Sequence, residues 1–225
     1  MIVCHPLKLI FIKTKKVGGT SFEIALSKYC EADCIITPIL PEDEAIRNAK
    51  GFRGAQNARW WNRRGFWSPK SPNYRLTGNF SNHDSAAHLR KHLGPTRFGA
   101  YLKVSIQRNP LDFLISQYFY RFRETPSEQR PPFKDWVLAH RSNVFENQRI
   151  APSTGEAACD VLLRYEHLRA DLEKIPELPA DFGSLFESLS AKGGIRPAES
   201  REARGFFEAE GLDPDALLRD LNHEG

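Results

Sequence analysis

The apolar run Leu9-Ile10-Phe11-Ile12 passes directly into Lys13-Thr14-Lys15-Lys16-Val17-Gly18-Gly19-Thr20-Ser21, and this junction limits the fold more than any other stretch of the 225 residues. Four consecutive apolar residues read as a strand buried on both faces, which a parallel sheet covered by helices provides. Two glycines then let the chain turn with positive φ at no steric cost, so that successive backbone N–H groups can converge on one anion. A helix starting at Thr20 adds the positive end of its dipole, with the Thr20 and Ser21 hydroxyls and the Lys16 ammonium in reach of the same anion. The predicted unit is strand, anion cradle, helix, and the predicted ligand is a nucleotide-like phosphate. The cradle is not a Walker A loop, in which the lysine follows the last glycine; here Lys15 and Lys16 precede Gly18 and Gly19.

A second strand-to-helix junction lies at Tyr101-Leu102-Lys103-Val104-Ser105-Ile106-Gln107-Arg108-Asn109-Pro110. Asn109 followed by Pro110 is a helix N-cap with proline in the first turn, so Arg108 ends a strand at a helix mouth. Ser116 follows within two turns and can share a face with that mouth. A fork-shaped cation and a hydroxyl suit a terminal phosphate; a plain alternative is an arginine paired with a nearby carboxylate.

The two junctions together resemble the 5′-phosphosulfate loop and the 3′-phosphate motif of sulfotransferases that use 3′-phosphoadenosine 5′-phosphosulfate (PAPS), particularly the carbohydrate-type members. Their first loop commonly reads Pro-Lys-Thr-Gly-Gly-Thr-Ser, against Lys15-Lys16-Val17-Gly18-Gly19-Thr20-Ser21 here, so one hydroxyl of the usual cradle is absent. Their second motif is Arg-(Asn/Asp)-Pro with a serine eight residues after the arginine and then a tyrosine, matched by Arg108, Asn109, Pro110, Ser116 and Tyr118. A third segment, Asp160 to Leu172, resembles the strand and helix start that follow, so the likeness covers roughly residues 7 to 175. The resemblance implies a PAPS donor held by Lys15, Lys16, Val17, Gly18, Gly19, Thr20, Ser21, Arg108 and Ser116, with Lys16 stabilising the leaving phosphate.

Sulfuryl transfer to a hydroxyl also needs a base. The segment Asn79-Phe80-Ser81-Asn82-His83-Asp84-Ser85-Ala86 resembles the family's His-x-Ser-Ala stretch, which makes His83 the catalytic base; its ordinary pKa near 6.5 suits that work. Ser81 or Asn82 is expected to cap a helix carrying Ala86, Leu89 and Leu93 on one face and stopping at Gly94. Asp84 is a rival base whose ordinary role is an early-helix charge. His88 and His92 are four apart, but no acidic or cysteine partner accompanies them in a metal-binding pattern, and no metal is expected.

From Arg47 to Arg75 eight cations meet no acidic residue, and six aromatic residues lie among them. Arg59, Trp60, Trp61, Arg63 and Arg64 are its densest part and the candidate acceptor contacts, where rings stack on sugars and cations hold acidic groups. A single-stranded nucleic-acid track and a loop with its tryptophans folded inward are the other two readings of this insert. The stretch Lys192 to Pro197 reads equally as a lid whose cations close over the donor and as a surface loop.

The expected architecture is one α/β domain over residues 1–225, a central parallel sheet flanked by helices in the P-loop-like sulfotransferase arrangement, with helices filling residues 176–225. Strands are expected near Leu7 to Lys13, Ala100 to Gln107 and Val161 to Arg164. Cys4, Cys30, Cys34 and Cys159 lack zinc spacing and are expected as reduced thiols. No membrane-length apolar run or signal pattern occurs, and family members in the Golgi carry an N-terminal anchor, so the expectation is a soluble, bacterial, cytoplasmic enzyme. The functional expectation is a PAPS-dependent sulfotransferase acting on a carbohydrate or other hydroxyl acceptor, which can be anionic. No nucleic-acid partner is expected, and the oligomeric state is not readable. The rivals are a non-catalytic anion or nucleic-acid binding module and a nucleotide-dependent, kinase-like P-loop protein.

Overall fold

Leu9–Ile12 is completely buried and divides its side chains between two cores, which is why an unbroken apolar run works here. Leu9 and Phe11 face one helical layer, while Ile10 and Ile12 face the other. The computed structural model describes residues 1–58, 80–189 and 196–224. Its five strands are β1 (Ile2–Cys4), β2 (Leu9–Ile12), β3 (Ile35–Ile36), β4 (Leu102–Gln107) and β5 (Val161–Arg164). They form one sheet in the order β3-β1-β2-β4-β5. The centre is parallel, with Ile12 opposite Ser105 and Gln107 opposite Arg164. The β1 strand runs antiparallel to both β2 and β3, so the sheet is mixed where a parallel one was expected. A short return through His5–Lys8 allows only an antiparallel pairing of β1 with β2, since a parallel one needs a long crossover.

The helices are α1 (Gly19–Ser27), α2 (Pro41–Ala49), α3 (Ala86–Leu93), α4 (Pro95–Gly99), α5 (Pro110–Arg121), α6 (Phe133–His140), α7 (Val144–Ile150), α8 (Leu168–Leu172), α9 (Phe182–Ser188), α10 (Ala203–Ala209) and α11 (Pro214–Glu224). On one face α1 and α9 pack against β2 and β4, with Phe22 stacked on Phe11 at 4.1 Å and close to Phe182 at 4.9 Å. The opposite face is closed by Phe80, Leu89 and Phe98 from the α3–α4 region and by Ile150. A third core joins α5 and α6 to α10 and α11 through Phe119, Phe133, Trp136 and Phe207, which ties the helical C-terminal part to α5. These contacts make a single α/β domain. Among the described residues no helix is long and apolar enough to cross a membrane.

Because β2 and β4 are parallel neighbours, the two turns after them emerge at the same end of the sheet. Open α/β sheets bind ligands outside the carboxyl ends of their strands.

Candidate phosphate site

The first turn folds as a left-handed cradle. Lys16 has φ +59° and Gly18 φ +71°, so a non-glycine residue is held in the sparsely populated αL region beside a glycine that takes it freely. α1 starts at Gly19 without a side-chain cap. The N–H groups of Val17, Gly18, Gly19 and Thr20 have no acceptor among the described residues. Four adjacent uncapped donors at a helix N-terminus form a concave positive surface suited to an oxyanion. Gly19 is also needed for space, since a Cβ there would stand 2.9 Å from Lys13 Cγ.

The side chains around the turn are held by ion pairs. Lys13 Nζ lies 2.5 Å from Glu23 Oε2 and donates to Thr20 Oγ1 at 3.1 Å. Glu23 is fully buried and also receives the Met1 amino group on its other oxygen. Burial alone would raise the Glu23 pKa, but the amino group and Lys13 together hold it below the usual carboxylate range. Lys15 is fastened to α7: its ammonium pairs with Glu146 at 2.9 Å, and Asn147 bonds both its N–H and its carbonyl. Lys16 Nζ sits 3.4 Å from the centre of the Tyr120 ring on α5. Val17 is buried and packs in the core beside β2.

The Thr20 hydroxyl accepts from Lys13, and the Ser21 hydroxyl donates to the Leu189 carbonyl at 2.8 Å. Ser21, expected to line the cradle, anchors the end of α9 through this bond. No sequence pattern announces a partner 168 residues away.

Arg108 connects the two turns. Its guanidinium donates to the Lys16 carbonyl at 2.7 Å, pairs with Asp112 Oδ2 at 2.5 Å and lies 4.0 Å from the Tyr165 ring centre. Asn109 caps α5 as expected, accepting from the N–H groups of Leu111 and Asp112. Arg108 thus has the carboxylate partner of the plain alternative, and the same contact set brings the two motifs together. Asp112 also pairs with Arg196, whose guanidinium bonds the Ser200 hydroxyl and carbonyl. Arg196 is the described part of the lid candidate, together with Pro197. Ser116 is buried one turn beyond Asp112 on the same side of α5, and its hydroxyl has no hydrogen-bond partner among the described residues.

His83 precedes α3 in a turn, and its Nδ1–H donates to the Lys13 carbonyl at 2.9 Å. A carbonyl oxygen only accepts, so the neutral ring carries its proton on Nδ1 and keeps its lone pair on Nε2. Crowding by protein lowers its pKa to about 4, and the Lys13 and Met1 charges push the same way against the Lys13 carbonyl bond. The ring keeps an accessible face, so a neutral base is presented to solvent. The cap of α3 is Ser85, which accepts from His88 N–H, in place of the expected Ser81 or Asn82. Ser81 instead bonds Asp84 through both its N–H and its hydroxyl, and Asp84 also faces His88 Nε2 at 3.5 Å. Asp84 is a structural turn residue; His88 and His92 lie with ring centres 4.2 Å apart beside Phe80.

Arg47 corrects one part of the basic insert. It belongs to α2, is fully buried and pairs with Glu44, so it is no part of an exposed track. The acceptor candidates Arg59, Trp60, Trp61, Arg63 and Arg64, and Lys192 to Ile195 of the lid candidate, lie outside the described residues. Sequence reasoning missed Lys13, Glu23, Glu146, Asn147 and Asp112. Glu23 alone carried a signal, as a carboxylate within the otherwise apolar Phe22-Glu23-Ile24-Ala25-Leu26 of a buried helix.

Comparison with protein-family models, with curated proteins and with solved structures found no match to this chain.

Proposed function

We propose that this protein is a PAPS-dependent sulfotransferase that moves a sulfuryl group to a hydroxyl of a carbohydrate or glycoconjugate, on a P-loop-like sulfotransferase fold. The observation that carries the reading is the Arg108 to Lys16 contact, which joins the two strand-to-helix turns at the carboxyl end of two parallel strands. Two phosphate sites joined in this way fit a nucleotide phosphorylated at both ends of its ribose better than they fit ADP or ATP. In this reading the N–H groups of Val17 to Thr20 receive the 5′-phosphosulfate. Lys16 leaves the Tyr120 ring for the bridging oxygen as charge develops there. The 3′-phosphate takes the place of the Asp112 carboxylate beside Arg108, with the Ser116 hydroxyl as a further donor.

His83 Nε2 removes the acceptor proton while the acceptor oxygen bonds to sulfur. The bond from sulfur to the phosphate oxygen breaks, and 3′-phosphoadenosine 5′-phosphate leaves with the electron pair. The bound anion also raises the His83 pKa from about 4 toward neutrality, which strengthens the base when donor is present. No metal enters this scheme.

The test is a thermal shift with 3′-phosphoadenosine 5′-phosphate, run beside ADP, ATP with magnesium, and a short oligonucleotide. Ligand at about 100 times its Kd adds roughly 2.7 kcal/mol, on the order of 5–10 °C for a chain of this size. A shift for the 3′-phosphorylated nucleotide alone, lost in Arg108→Ala, is expected. An equal shift with ATP, or none, overturns the donor assignment; a shift with the oligonucleotide alone supports a nucleic-acid binding module instead.

A further inference from the structure

Cys4 lies 26 residues before Cys30, Cys30 and Cys34 are four apart, and the fold brings all three to one point at the end of the sheet opposite the phosphate cradle. Cys4 ends β1 opposite Leu9, Cys30 follows the last turn of α1, and Cys34 precedes β3. Their sulfur atoms all lie within 4.8 Å of one another, and all three residues are buried. Two sulfurs on one ion at about 2.3 Å stand about 3.8–4.0 Å apart, so these thiols need to draw together by less than about 1 Å to share a ligand.

The hydrogen bonds distinguish this cluster from ordinary buried thiols. Cys34 Sγ accepts two backbone N–H groups, from His5 at 3.3 Å and Glu31 at 3.2 Å. Sulfur is a poor acceptor when protonated, and paired N–H donors are the usual surroundings of a thiolate. Besides facing one another and Cys34, the Cys4 and Cys30 thiols donate to the carbonyls of Tyr29 and Leu26, at 3.6 Å each, contacts that are weak enough to exchange for a metal bond.

We infer that Cys4, Cys30 and Cys34 form a structural site for one thiophilic d10 cation, zinc(II) or copper(I), bound by three thiolates. Soft sulfur ligands select these ions over magnesium or calcium, and the loss of three thiol protons supplies the charge that the cation neutralises. The fourth cysteine, Cys159, packs in the core on the other face of the sheet and takes no part. An ion here joins β1, the exit of α1 and the entry of β3, the end of the fold with the shortest strands.

The experiment uses the full chain, reduced and handled without oxygen. Cobalt(II) serves as the spectroscopic substitute for zinc(II), and copper(I) is delivered from a competing chelator. Saturation at one equivalent by either route, with thiolate-to-cobalt charge-transfer absorption in the first, is the expected result. Cys34→Ser should weaken binding by more than about 100-fold, beyond the 10–100-fold typical of outer groups, while Cys159→Ser leaves it unchanged. Failure of the reduced wild-type chain to bind either ion overturns the inference without recourse to a variant. Equal binding by a folded Cys34→Ser chain, or a disulfide among the three cysteines in the isolated protein, does so too.

Discussion

Replacing Glu23 by glutamine tests the ion pair on which the cradle rests. Glu23 is fully buried, and its loss of charge leaves Lys13, itself 6% exposed, without a counter-ion. Breaking a buried pair from one side costs about 3–5 kcal/mol, because the remaining charge keeps its desolvation penalty. For 225 residues that is a drop in Tm on the order of 6–20 °C. Removing both partners in Lys13→Met/Glu23→Leu should recover at least half of the loss, since two apolar side chains of similar size leave no buried charge on the lysine side. The Met1 amino group still bonds Thr37 Oγ1 at 2.8 Å in that variant, so recovery is incomplete. Urea denaturation of the wild type, Lys13→Met, Glu23→Leu and the double variant gives the coupling energy directly. A cost below about 1 kcal/mol for Glu23→Gln, or a double variant no more stable than the single one, would refute the claim that this pair holds the turn.

Three further outcomes follow from the same geometry. His83→Ala should lower turnover by about 10²–10⁴ with little change in Tm, because its ring is accessible and makes one hydrogen bond; equal loss of stability and activity would make it structural. The His83 pKa is lowered on folding from 6.5 to about 4, so the folded state resists protonation and the stability it shares in is whole above pH 6.5 and lost as pH falls toward 4. A His83→Gln chain should therefore show a flatter stability profile between those limits, read by denaturation at stepped pH. Gly18→Val places a β-branched residue at φ +71°, and it should both destabilise by at least about 1 kcal/mol and weaken 3′-phosphoadenosine 5′-phosphate binding, measured by calorimetry.

The parts legible in the sequence are those whose causes are local. The fully buried β2 shows as an unbroken apolar run, and the start of α5 shows because the Asn109 cap and Pro110 act within one turn. β1 and β3 are three and two residues long, too short for periodicity to distinguish from loop. The α3 boundary was misread by a few residues because Ser81, Asn82 and Ser85 are all competent caps, and the Ser81–Asp84 turn settles which one acts. What remained hidden is long-range: Asn147 on Lys15, Leu189 on Ser21, and Cys4 at the end of β1 beside the Cys30 and Cys34 pair of the α1–β3 connection. Spacing rules find metal ligands within one hairpin or helix, and they fail where the sheet order makes the neighbours.

The charge balance explains why so cationic a turn can fold before any ligand arrives. Lys13, Lys15, Lys16, Arg108 and Arg196 crowd one end of the sheet, and like charges at such distances repel by several kcal/mol unless neutralised. Glu23, Glu146 and Asp112 supply three negative charges, each bonded to at least one of the five cations. Five cations thus face three carboxylates, beside four backbone N–H groups with no acceptor among the described residues. The buried Glu23 is fixed by position and cannot leave, but Asp112 and Glu146 reach the cations from helices at the rim. In the proposed function a phosphate takes the place of Asp112, whose side chain is 13% exposed, while Glu146 at 34% exposure is the easier of the two to move into water. On that reading Arg108 and Arg196 are paired with either the phosphate or Asp112, so release of the anion returns both guanidiniums to the carboxylate.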